Sequence, residues 1–195
     1  MYKILILSFM VLFFHGCVST TPSIQTNRYF IPMNVTPPSI KSGDKILKIE
    51  KPHFSRDLTT TAMAYEKNGS IYEYGYNQWS SPVNEMLSDI LVKIAETSTV
   101  FKDALPDASE SKVDYILESH VLSFRQHIDE HKATAIFEIK LSLINAHSKK
   151  FINSKRFSYQ EPCTEVSAKG GVEAFTRLMK QFEKDVTTWL EQQPI

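Results

Sequence analysis

The stretch Ala133-Thr134-Ala135-Ile136-Phe137-Glu138-Ile139-Lys140-Leu141-Ser142-Leu143-Ile144-Asn145-Ala146 decides the fold class of this 195-residue chain. Ala133, Ala135, Phe137, Ile139, Leu141 and Leu143 fall on one side of a period of two, and Thr134, Glu138, Lys140 and Ser142 on the other. Successive side chains of a strand point to opposite faces, so this segment predicts an antiparallel sheet with one buried side and one wet side. Working outward, Asp114 to Gln126 and Phe151 to Gln160 read as its neighbours. They are separated from it by His127 to Lys132 and by His147 to Lys150, lengths suited to antiparallel connections.

Further out lie two helical stripes. Val83, Met86, Leu87, Ile90, Leu91, Ile94 and Ala95 recur at spacings of three and four, after Ser81 as a predicted N-cap and Pro82 at the first helical position. Val172, Phe175, Met179, Phe182, Val186, Trp189 and Leu190 repeat the pattern beyond Gly170-Gly171, nearly to Pro194. Between the N-terminus and the first helix, Lys45 to Lys51 alternates as a short strand ended by Pro52. Thr60 to Glu66 and Ser70 to Tyr76 flank Lys67-Asn68-Gly69, and Asn-Gly is the strongest short hairpin signal because both central residues of a type I′ turn need positive φ. A sheet with one apolar face and two helices with apolar stripes satisfy each other as two layers. The expectation is an α+β fold, an antiparallel or mixed sheet packed against two amphipathic helices, forming a single domain over residues 41–195.

The first residues are an address rather than part of that fold. Lys3 is followed by an apolar run from Ile4 to Phe14, of signal-peptide length and short of the roughly 20 residues that span a bilayer. Gly16 precedes Cys17, so residues 1–16 read as a lipoprotein signal peptide. Phe14 and His15 depart from the usual leucine and small residue of that cleavage motif. The Cys17 thiol would carry the lipid, a diacylglyceryl group with palmitate among the acyl chains. Residues 17–40, with Pro22, Pro32 and Pro37-Pro38, read as a lipid-anchored tether in which Tyr29-Phe30 could open an edge strand. Val18, where an aspartate would retain the protein at the inner membrane, points to the outer membrane, with the domain facing the periplasm. Lys plus Arg and Asp plus Glu both number 22, so no nucleic-acid partner is expected.

No catalytic residue, cofactor or metal is expected. His127, Asp129, Glu130 and His131 form the one cluster of metal-ligand composition, yet they sit in a hairpin connection with nothing nearby in sequence to close a site. The nucleophile, zinc-protease, phosphate-loop and dinucleotide motifs are all missing, so the chain reads as no enzyme. Cys163 has no partner if Cys17 is lipidated, and it reads as a half-buried small hydrophobe. Tyr72, Tyr74, Tyr76 and Trp79 are the candidate partner-binding residues. For Trp79, a staple that fixes the chain's angle into the helix competes with an exposed interface anchor.

The order of these features resembles a known family. Phe54-Ser55-Arg56-Asp57-Leu58 leads into Ala62-Met63-Ala64-Tyr65. Tyr72, Tyr74 and Tyr76 then lead to Trp79-Ser80-Ser81-Pro82 and a helix, with a late sheet and a C-terminal helix over Asp114 to Leu190. This is similar to the auxiliary lipoproteins of ABC-type transport systems, which include paraquat-inducible protein C and lipoproteins associated with MCE-domain transporters. The resemblance runs from about Tyr29 to the last helix. Asn77-Gln78 precedes Trp79 where the family often has an arginine. The resemblance implies a non-enzymatic periplasmic component of a lipid transport system that contributes to envelope integrity. Its implied partners are the membrane, through the anchor, and an MCE-domain protein of an ABC transporter; a homo-oligomer is a further option. A lipid-binding carrier and a regulator of a cell-wall synthase are the alternatives, since fold alone does not separate these roles.

Overall fold

The computed structural model describes residues 25–54 and 59–195. The signal peptide, Cys17 and the Ser55 to Leu58 part of the resemblance lie outside the described residues. The chain forms strands β1 (Asn27–Tyr29), β2 (Lys45–Ile49), β3 (His53–Phe54), β4 (Ala62–Lys67) and β5 (Ser70–Trp79), then helix α1 (Val83–Thr97) and β6 (Phe101–Pro106). The strands β7 (Tyr115–Asp129), β8 (Lys132–Asn145) and β9 (Phe151–Pro162) follow, and helix α2 (Ala168–Glu191) ends the chain.

The three long strands form the antiparallel meander read from the sequence, with Phe124 opposite Phe137 and Phe137 opposite Tyr159. Ala133, Ala135, Phe137, Ile139, Leu141 and Leu143 are all buried. The sheet as a whole is mixed. Along its other edge β7 meets three short strands in succession: β2 at Tyr115 to Leu117, β3 at His120 and Val121, and β4 at Gln126 to Ile128, all parallel. Parallel neighbours cannot be joined by a tight turn, and the α1 crossover supplies the return path. β6 extends β2 in parallel, β5 pairs antiparallel with β4, and β1 joins β5 in parallel through Asn27 to Tyr29. Within the stretch read as tether, β1 and the buried Ile31 are thus packed on the fold.

Both helices cover one face of this sheet. The buried residues of α1 are Val83, Met86, Leu87, Ile90, Leu91, Ile94 and Ala95, the stripe read from the sequence. Its start differs by one position. Pro82 is itself the N-cap, with an extended ψ of 141°, and its carbonyl accepts from the Glu85 and Met86 N–H groups. Ser81 does not cap. Helix α2 begins at Ala168, four residues before the stripe, because the Ser167 hydroxyl accepts from the Gly170 N–H at 3.0 Å. Gly171 lies in that first turn where β7 comes close: a Cβ there would stand 2.5 Å from the Gln126 side-chain amide.

An aromatic chain fills the space between the layers. Trp79 meets Phe124 and Phe175, Phe124 stacks on Phe175 with centroids 4.2 Å apart, and Phe137 and Phe157 each meet the edge of Phe182. Trp189 closes the far end against Phe157. Offset and edge-to-face contacts of this kind add about 0.5–1.5 kcal/mol per pair beyond area burial. The space an acyl chain would need between sheet and helices is occupied by side chains.

Candidate functional site: the tyrosine edge

Lys67-Asn68-Gly69-Ser70 forms the expected tight turn, with φ of 53° at Asn68 and 74° at Gly69. It sets Tyr65 opposite Tyr72 and Ala64 opposite Glu73. The Tyr65 ring stacks on Tyr72 at 5.4 Å and meets Tyr74 at 4.7 Å, which stiffens the hairpin. The register then slips, so that Gln78 faces Ala62, and β5 bows between these pairings. On its other side β5 is paired only at Asn77 to Trp79, where β1 lies. Among the described residues, Ser70 to Tyr76 therefore presents an unpaired row of N–H and C=O groups. Ile71, Tyr72 and Tyr76 sit on this edge at 53%, 48% and 56% exposure. An open strand edge with large amphipathic side chains is the surface type that accepts an added strand from another chain.

The four residues read as partner-binding divide. Tyr72 and Tyr76 are exposed. Tyr74 is half-buried, and burial of its hydroxyl pushes its pKa up to about 12. Trp79 is 3% exposed and belongs to the core, which corrects its reading as an interface contact. It anchors the hairpin to β7 and α2 through Phe124 and Phe175. Its N–H donates to the Thr61 carbonyl at 2.8 Å, and the next N–H, of Ser80, donates to Tyr29 at 2.7 Å. These two backbone bonds hold the main chain at Trp79 and Ser80 from both sides.

The other candidates resolve into structural roles. Cys163 is partly buried beside Gln126, whose side-chain amide donates to Sγ at 3.5 Å, and burial pushes the thiol up, away from a reactive thiolate. His127 and Asp129 lie on β7 itself, and only Glu130 and His131 form the turn, with φ of 45° at Glu130. The His127 imidazole is 3.5 Å from Glu66, which also pairs with Arg125 at 3.1 Å. No group of three His, Cys, Asp or Glu among the described residues is placed to hold a metal ion. Sequence reading missed the open edge because the pairing of β1 stops at Asn77, which no local pattern records.

The described residues form a two-layer α+β domain with both helices on one face of a mixed sheet; no described helix is long and apolar enough to cross a bilayer. The same fold is seen in protein XCC0632 from Xanthomonas campestris, at 18% identity and TM-score 0.74, covering 85% of this chain and 94% of that one. A second solved structure, of an uncharacterized protein, aligns at 14% identity and TM-score 0.67, covering 85% of this chain and 99% of that one. The chain belongs to the ABC-type transport auxiliary lipoprotein component family, whose model matches residues 30–187. No curated protein matches it. Family membership makes it an auxiliary component of transport and not a member of a known enzyme family.

Proposed function

We propose that this protein is a lipid-anchored periplasmic adaptor of an MCE-type ABC system that moves lipid between membranes, held at the outer membrane through Cys17 and docking its partner along β5. The observation that carries the docking reading is the open edge Ser70 to Tyr76 with Ile71, Tyr72 and Tyr76 exposed on it. Strand addition supplies main-chain hydrogen bonds, and flanking side chains select the partner. Tyrosine suits that task because it offers a large contact area at low entropic cost. The lipid-carrier alternative is less well supported, since the sheet–helix interface is filled by Phe137, Phe157, Phe182 and Trp189. Adaptors act by position, and the lipoprotein anchor supplies it.

The test is capture from detergent extract. Wild-type protein is expected to bring down an MCE-domain protein with its permease and ATPase. Tyr72→Ser with Tyr76→Ser should lower that capture at least tenfold while the thermal midpoint stays within a few degrees. Capture of a cell-wall synthase in place of any transport component would overturn the assignment.

A further inference from the structure

The face of the sheet away from the helices carries a row of basic side chains that no local sequence pattern announces. His53 on β3 is in register with His120 on β7, His120 with Lys140 on β8, and Lys140 with Arg156 on β9. All four line one groove of about 400 Å³, together with Glu118 and Leu122. Register across four neighbouring strands brings together residues spread over a hundred positions of the chain.

This arrangement runs against the stability of the sheet. Like charges directly opposite on adjacent strands are destabilising, and Lys140 stands directly opposite Arg156. Arg156 is partly neutralised: its Nη2 lies 2.7 Å from Glu138 Oε2, and this hydrogen bond holds the Glu138 carboxyl below its usual range. A guanidinium has five N–H donors, so others remain free for a ligand. Lys140 forms no ion pair among the described residues. The groove is also shaped by an irregularity. A bulge between Val121 and Ser123 turns Leu122 outward at 40% exposure, giving the basic row an apolar lip. Bulges that re-aim a side chain cluster beside binding sites, and departures from local pairing rules concentrate there too.

We propose that this groove binds a zwitterionic phosphate ester of the phosphoethanolamine class. Lys140 and Arg156, adjacent across β8 and β9, offer donors to the phosphoryl oxygens, and the two imidazoles extend the row along the groove. Glu118, on the same lining, is the acceptor for the ligand's ammonium. A purely basic groove would take any phosphate; one carboxylate beside the row selects an ester that also carries a cation. Leu122 meets the carbon chain that joins the two. The site lies on the opposite face from the core and apart from the β5 edge, so it stands or falls independently of the docking reading.

Calorimetric titration of the full chain in dodecyl maltoside, at fixed ionic strength, tests it. O-phosphoethanolamine is expected to bind saturably and at least fivefold more tightly than glycerol 1-phosphate or inorganic phosphate. Lys140→Gln should weaken O-phosphoethanolamine at least tenfold and Lys140→Arg should restore most of it, with the thermal midpoint of Lys140→Gln no lower than that of the wild type because Lys140 is exposed and faces the like charge of Arg156. Glu118→Gln should abolish the preference over glycerol 1-phosphate while leaving inorganic phosphate binding intact. Dihexanoyl phosphatidylethanolamine identifies the source: tighter binding than the free ester assigns a lipid headgroup, and equal or weaker binding a soluble ester. Absence of saturable binding, or a Lys140→Gln protein that binds like wild type, overturns the proposal.

Discussion

At the scale of single residues, Trp79 concentrates the difference between what a side chain is and where it goes. In the sequence it is an aromatic beside a helix start, equally fit for a surface or a core. The structure packs it against Phe124 and Phe175, so Trp79→Ala removes a large buried side chain and is expected to cost about 3–5 kcal/mol. Urea unfolding should show this as a lower midpoint at an unchanged slope. Tyr159 carries a second prediction. Its hydroxyl donates to Asp185 at 2.8 Å, and burial, with the Asp185 hydrogen bond and charge, pushes its pKa well up. A raised folded-state pKa gives stability that is complete below the unfolded value of about 10 and is lost as pH rises beyond it, since only the unfolded chain then releases the proton. Tyr159→Phe should therefore flatten the loss of stability measured above pH ~10, at a neutral-pH cost of about 1–2 kcal/mol. The cost stays modest because Gln181 also donates to Asp185.

Among the elements, those with their own period were legible and those defined by a distant neighbour were not. The alternation of β8, the stripes of α1 and α2 and the Asn68-Gly69 turn each express a local rule, and each took its expected form. β1 spans three residues with no period of its own; Tyr29-Phe30 suggests an edge strand, but the pairing of Tyr29 with Trp79 is set by a distant neighbour. β2, β3 and β4 read as separate extended pieces; only β7, whose length gives them a common edge, turns them into a parallel row. The candidate site was visible in the same proportion. Tyr72 and Tyr76 could be named from composition, but the unpaired edge beneath them is a property of the pairing. Gly170-Gly171 is a similar case: the pair reads as an interruption, yet Gly171 is the point where α2 crosses Gln126 of β7. Gly171→Ala gains helix propensity but must displace that amide, which also donates to the Ser167 carbonyl at 3.1 Å. The expected outcome is a net loss of about 1–3 kcal/mol, read from the thermal midpoint.

For the whole molecule, the proposed anchor at Cys17 and the described domain are expected to be separable. The described core is built from residues Ile31 to Leu190. Cys17→Ser should accordingly leave the domain folded, with an unchanged melting profile, while moving the protein from the membrane to the soluble fraction and abolishing function. Function retained in the soluble form would show the anchor to be dispensable. The three surfaces also divide the labour. The helices close the core, β5 offers its edge, and the opposite sheet face holds the basic row, so one small module can present two contacts without their competing for the same residues.

The short parallel strand β1 gives that module a mechanical character. It is the first described strand, held by three residues of pairing, the Ser80–Tyr29 hydrogen bond and the burial of Ile31. A pull from the membrane along the tether reaches this clasp before any other part of the sheet. If it lets go, the chain is freed as far as the next tie, where the Ser42 and Gly43 N–H groups donate to the Thr99 carbonyl, a stretch of about a dozen residues that spans at most about 40 Å when fully extended. The remaining strands keep their partners. With the anchor proposed at Cys17, β1 would act as a slipknot, setting a short leash at rest and a longer one under tension.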